Sequence, residues 1–205
     1  MTILGYGEDA LTLHALINGL PDIFTSLGDD TDPAKALVFY RPSFGRRGSP
    51  PIGPQGSQFG EFDAIIGTSR AVYVVEAKRS GSGELKGSDL QLRPEQITRH
   101  SAFRAYFEEW RRERPPDWTP FAARMRAVFE SRGLRLEAPA VGTTLAKNLA
   151  YVLGRLDGCG PKLVDVLLFC RVSEAAPIPS TCGAFSIVTH LCPPEDHSEF
   201  IRVLA

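Results

Sequence analysis

Asp63, Glu76 and Lys78 are the residues of this chain whose types and spacing could do chemistry. They lie within EFDAIIGTSRAVYVVEAKRS, residues 61–80, on two short apolar runs joined by a Gly-Thr-Ser-Arg turn. Alternation along a strand sends residues i and i+2 to one face, so Glu76 and Lys78 emerge together. A hairpin about the turn then carries Asp63 beside them. Two carboxylates and an ammonium converging at the end of an apolar hairpin are costly to bury without a partner. A hydrated divalent cation, shared between carboxylates and a phosphate, suits oxygen ligands with one lysine nearby. The chemistry expected of such a group is metal-dependent cleavage of a phosphodiester.

The elements that must position these residues can be read from pattern. Residues 8–20, EDALTLHALINGL, are apolar at 10, 11, 13, 16, 17 and 20, which predicts an amphipathic first helix ended by Gly19 and Pro21. ALVFYRPSF predicts a strand over 36–41, broken by Pro42. GRRGSPPIGPQGSQFG, with its paired Arg46 and Arg47, is a loop on composition. The two central strands follow at 61–67 and 71–78, then a Gly/Ser loop, SGSGELKGSDLQL. Pro94 suits the first position of a helix running to about Arg114, and Pro115 and Pro116 end it. Further helices are expected over 119–132 and 143–156. KLVDVLLFCRV is a near-continuous apolar run, typical of a strand buried on both faces. GAFSIVTHL gives a last strand, and the polar tail a helical turn or two. Helices interleaved with strands in this order predict the α/β class, with a central mixed β-sheet flanked by helices. No linker argues for two domains, so 1–205 reads as a single domain.

Composition bounds the alternatives. At 43% hydrophobic and 23% charged, 205 residues suffice for a full core. A net charge of −1 excludes a blanket basic surface, so nucleic-acid contact must use local patches. MTILGYGEDA has neither a basic n-region nor an apolar h-region, and no apolar run approaches spanning length, so the expectation is cytoplasmic. Cys159, Cys170, Cys182 and Cys192 form no CxxC and have no histidine at the usual zinc spacing. They read as reduced structural thiols. A zinc-stapled interaction domain built on them is a minor alternative. His14 reads as structural, and His190 and His197 as surface or strand-end residues.

On these residues the chain resembles the PD-(D/E)xK nuclease superfamily, the restriction-endonuclease-like fold, over roughly residues 8–100. Asp63 matches the family's metal-binding aspartate, and Glu76 and Lys78, in VVEAKRS, its (D/E)xK pair. Glu8 sits where many members carry an acidic residue on the first helix. Gln96 falls where many carry a glutamine on the helix after the hairpin, and His100 follows four residues on. Phe62 stands where the signature has its proline, a position widely replaced in the superfamily. The resemblance implies Mg²⁺, with Mn²⁺ able to substitute, held by Asp63, Glu76 and the backbone carbonyl of Ala77, with Glu8 binding the metal through water or helping a second ion. Lys78 would orient the attacking water and stabilise developing charge, and Gln96 would fix a phosphate or that water.

If that fold holds, Arg46, Arg47, Arg79, Lys86, Arg99 and His100 surround one cleft and contact phosphates. DNA is the expected partner, with a homodimer or a protein of a larger system left open, as are restriction, repair and defence roles. A non-catalytic nucleic-acid-binding or assembly protein that retains the fold is the rival reading. It predicts binding indifferent to Mg²⁺ and to Asp63→Ala.

Overall fold

AVYVVEAK, residues 71–78, is buried along its whole length, and the strand it forms is the axis on which its surroundings are built. A computed structural model describes residues 2–45, 57–86, 88–194 and 200–204. In chain order the elements are β1 (Ile3–Tyr6), α1 (Gly7–Asn18), α2 (Leu20–Leu27), β2 (Leu37–Tyr40), β3 (Ser43–Phe44), β4 (Gly60–Glu61), β5 (Ala64–Gly67), β6 (Ala71–Arg79), β7 (Leu85–Lys86) and β8 (Asp89–Leu90). There follow α3 (Pro94–Glu113), α4 (Trp118–Ser131), α5 (Thr144–Leu156), β9 (Lys162–Arg171), β10 (Ser186–Leu191) and β11 (Phe200–Leu204). These make the α/β class with a five-stranded mixed central sheet flanked by helices. The chain divides into two compact units: Met1–Tyr40, Asp63–Leu92 and Gly160–Ala205 build the first, Arg41–Phe62 and Arg93–Cys159 the second.

The first unit holds the sheet, in the order β10-β9-β6-β5-β2. β10, β9 and β6 run parallel, and β6, β5 and β2 antiparallel. Val, Leu and Phe fill much of β6 and β9 because both faces are covered. On one face Ala10, Leu11, Ala15 and Leu16 of α1 and Leu20, Ile23 and Phe24 of α2 pack on Ala64, Ile66, Tyr73, Val75, Ala77, Val166, Leu168 and Val188. On the other, Leu90 and Cys182 cover Leu167 and Phe169. Glu8 and Asp9 in the first turn of α1 suit the positive end of its dipole. Gly19 ends α1 as the sequence predicts. Pro21, however, does not stop the helical run; at the start of a helix its missing N–H is harmless, and it opens α2.

β1 and β11 were not legible from pattern, nor were the two-residue strands β3, β7 and β8. β1 and β11 pair antiparallel, so the tail ends in a strand rather than in helical turns. Likewise the predicted strand over 61–67 is two pieces. Gly60–Glu61 pairs with β3 in the second unit, and only from Ala64 does the chain join the central sheet.

The second unit is built on aromatic rings. Phe44 stacks on Phe59 and Phe103, with centroids 5.2 and 5.7 Å away. Tyr106 stacks on Phe59 at 5.7 Å and meets Phe129 edge-on at 5.0 Å. Phe121 lies edge-on to Trp110 at 5.0 Å. This aromatic line runs down α3 into α4, whose first turn is capped by Asp117 accepting from the Thr119 N–H. Among the described residues of both units, no helix is long and apolar enough to cross a membrane.

Candidate active site

The geometry of the site follows from one register. Ala64 of β5 pairs with Val75 of β6, so the residue before β5, Asp63, falls opposite Glu76. Its Oδ2 accepts a hydrogen bond from the Ala77 N–H at 2.8 Å. Lys78, two residues beyond Glu76 on the same face, places Nζ 3.3 Å from Glu76 Oε1. The first turn of α1 adds Glu8, whose Oε1 lies 3.7 Å from the same ammonium. Asp63 and Glu76 are each 3% exposed and Lys78 5%. Glu8 retains a third of its side-chain surface and forms the open side of the cluster. All of this sits at the carboxyl end of β6, beside the carboxyl end of its parallel neighbour β9, the end at which open α/β sheets bind ligands.

Three acids around one base carry an excess of negative charge. Burial pushes the Asp63 carboxyl up to about 6, and the Glu76 and Glu8 carboxylates push the same way. The Ala77 N–H and the Lys78 ammonium oppose them without cancelling the rise. A group of buried carboxylate oxygens that repel one another can take up a hard divalent cation and would be relieved by it. Nothing softer than oxygen is offered among the four side chains.

A second buried acid lies at the turn end of the same hairpin. Asp29 Oδ2 accepts from Thr68 Oγ1 and from the Tyr73 hydroxyl, both at 2.7 Å, and Oδ1 accepts from the Thr31 N–H at 2.9 Å. Burial works against its charge, but the bonds from Thr31, Thr68 and Tyr73 outweigh that and hold its carboxyl at about 2. Sequence reasoning passed over Asp29, because GDD at 28–30 has the look of any turn.

The other predicted site residues are placed as follows. Arg79 and Lys86 are exposed in the first unit, at the end of β6 and on β7. Gln96 belongs to the second unit, where its Oε1 accepts from the Arg93 N–H at 2.8 Å and closes the first turn of α3. Arg99 is buried there, donating to the Glu61 carbonyl with its guanidinium 5.5 Å from the Phe62 ring centre. His100 is buried edge-on against Phe62 at 5.1 Å. Phe62 thus serves the aromatic core of that unit. Arg46 and Arg47 lie outside the described residues.

One further cluster was missed. His14 of α1, His190 of β10 and Cys192 each bring a metal-ligating atom within 4.8 Å of the others. A hydrogen bond from Cys170, with the two imidazoles beside it, holds the Cys192 thiol below the usual cysteine range, and Cys170 is pushed up in turn. No local spacing could have announced it. All four cysteines are thiols. The chain matches no family model, no curated protein and no solved structure.

Proposed function

We propose that this chain is a metal-dependent nuclease that hydrolyses phosphodiester bonds in DNA in the cytoplasm. The observation that carries the reading is the convergence of Glu8, Asp63, Glu76 and Lys78 in one cluster at the carboxyl end of β6. Asp63 and Glu76 would hold the ion, with Glu8 on its open side. Mg²⁺, or Mn²⁺ in its place, would polarise a phosphoryl oxygen and make a bound water more acidic.

The chain's own residues do the rest. The Ala77 N–H fixes the Asp63 carboxylate against rotation. Glu76 and Glu8 hold the Lys78 ammonium between them. A compact ammonium with three rotatable donors can orient an attacking water and stabilise negative charge on the phosphoryl oxygens. Exposed Arg79, next in sequence, and Lys86 on β7 offer charge to flanking phosphates. A binding scaffold has no use for an ammonium buried among three carboxylates, and on this ground hydrolysis is preferred to binding alone.

The test is cleavage of supercoiled, linear and single-stranded DNA by wild type, Asp63→Ala and Lys78→Ala, with Mg²⁺, Mn²⁺ or EDTA. Wild type should cut with metal alone, and either substitution should slow cutting at least ~100-fold while circular dichroism stays unchanged. Folded wild type that cuts no substrate in either metal, or an Asp63→Ala chain that cuts as fast as wild type, would overturn the reading. Discrete bands against a smear would separate sequence-specific from general cutting.

A further inference from the structure

We propose that His14, His190 and Cys192 form a second metal site, for a zinc-class transition-metal ion, which ties the carboxyl end of β10 to the middle of α1. The proposal is independent of the nuclease reading. Its donors are two imidazoles and a sulfur, the set that Zn²⁺ takes and Mg²⁺ refuses. The carboxylate cluster offers the reverse.

Distances fit such an ion. His14 Nδ1 lies 3.1 Å from His190 Nε2 and 3.3 Å from Cys192 Sγ. With Zn–N near 2.0–2.1 Å and Zn–S near 2.3 Å, the edges of a tetrahedral site are about 3.3 Å between nitrogens and about 3.6 Å between nitrogen and sulfur. These two edges are therefore within a few tenths of an ångström of what an ion would impose, and the third, between His190 and Cys192, is within 4.8 Å.

The ligands are also built in from separate elements. Cys192 is wholly buried, and its N–H donates to the Arg171 carbonyl at 2.7 Å, which fixes it just past β10. The His190 ring lies over Gly19, where any Cβ would overlap it, so the break between α1 and α2 is cut to receive an imidazole. His14 comes from the turn of α1 before that break. Three protein ligands leave a fourth position. Cys170, whose thiol hydrogen-bonds the Cys192 sulfur, stands behind the site as an orienting partner of the kind metal ligands require.

The experiment uses the full chain, stripped with a chelator under a phosphine reductant, then given Zn²⁺ in millimolar Mg²⁺ so that the carboxylates are occupied. After gel filtration, elemental analysis should find one zinc per chain in wild type and in Asp63→Ala. His14→Gln and Cys192→Ser should each retain less than a tenth of that. Co²⁺ in place of Zn²⁺ should give a near-ultraviolet thiolate-to-metal band and tetrahedral visible bands, the first lost in Cys192→Ser. Zinc at a hundredfold excess over its dissociation constant should raise the melting midpoint of wild type by roughly 5–10 °C. His14→Gln, at a partly exposed position, keeps the test valid if the buried Cys192→Ser chain fails to fold. Folded wild type that retains no zinc and shows no cobalt–thiolate band would overturn the proposal. So would zinc held equally by wild type and folded His14→Gln, or zinc lost from Asp63→Ala.

Discussion

Asp29 and Asp63 are buried acids at opposite ends of one hairpin, and their surroundings treat them in opposite ways. At the turn end, Thr31, Thr68 and Tyr73 aim donors at Asp29, and its carboxyl falls to about 2. At the open end, Asp63 receives one backbone donor and faces two more carboxylates, and its carboxyl rises to about 6. Low exposure by itself therefore says little about what a buried acid is for. An acid whose lone pairs are met by hydroxyls and amides is part of the framework. One set against other acids weakens the fold, and a bound cation would relieve it.

The largest effect expected from breaking this contrast lies at the framework end. The Gly160 N–H donates to the Thr68 carbonyl at 2.8 Å, and a Cβ on Gly160 would overlap the backbone of Arg70 and Ala71. Gly160→Ala should cost roughly 3–4 kcal/mol, lowering the melting midpoint by on the order of 10 °C. Asp29→Ala should cost about 2–3 kcal/mol in urea unfolding, since it strands the Tyr73 hydroxyl and leaves the Thr68 hydroxyl only the Ala71 carbonyl to donate to. A loss under about half of that would mean the network is not what holds the turn.

Asp63→Asn should act in the other direction. The folded carboxyl titrates near 6, above its ordinary 3.8, so folding strains the charged form. That cost is absent below about pH 4, grows as pH rises through 6 and is complete at pH 7. The asparagine chain should then be more stable than wild type by on the order of 2 kcal/mol at pH 7 and equal to it near pH 4. Asp29 has the opposite sign: its stabilisation is present above pH 3.8 and is lost as pH falls towards 2. Urea midpoints of wild type, Asp63→Asn and Asp29→Ala measured from pH 3 to 8 would show both trends or dispose of the comparison. Glu8→Gln is expected to change stability by less than about 1 kcal/mol, because a third of that side chain is in water.

How much of this could be read from the sequence depended on how far apart the partners lie. The Asp63–Glu76–Lys78 group was legible because one turn joins its two strands, and alternation fixes the shared face. Pro94 and the paired Pro115 and Pro116 likewise marked α3, whose last helical residue is Glu113. Asp29 was not legible, since its partners Thr68 and Tyr73 are about forty residues away and ordinary in type. His14 and His190 are 176 residues apart, and only the packing of α1 on the sheet brings their rings together. β1 and β11 are too short to show a period, and each is a strand only because the other exists. Phe62 and Asp63, adjacent in sequence, are divided between an aromatic core and a charged cluster, which no periodicity could foresee.

The parallel pairing of β6 with β9 has a consequence for how the chain comes off the ribosome. Glu8, Asp63, Glu76 and Lys78 are all synthesised early, yet the strand that lies against Glu76 and Lys78 is not made until residues 162–171. The larger part of the second unit, Arg93–Cys159, is translated in between. A parallel strand cannot be supplied by a local turn, so β6 waits with one edge bare until Lys162–Arg171 is made. β11, which pairs with β1 just ahead of the Glu8 helix, arrives later still. The charged cluster is thus completed only once residues 162–171 are made, and a product terminated before them carries its residues without their arrangement.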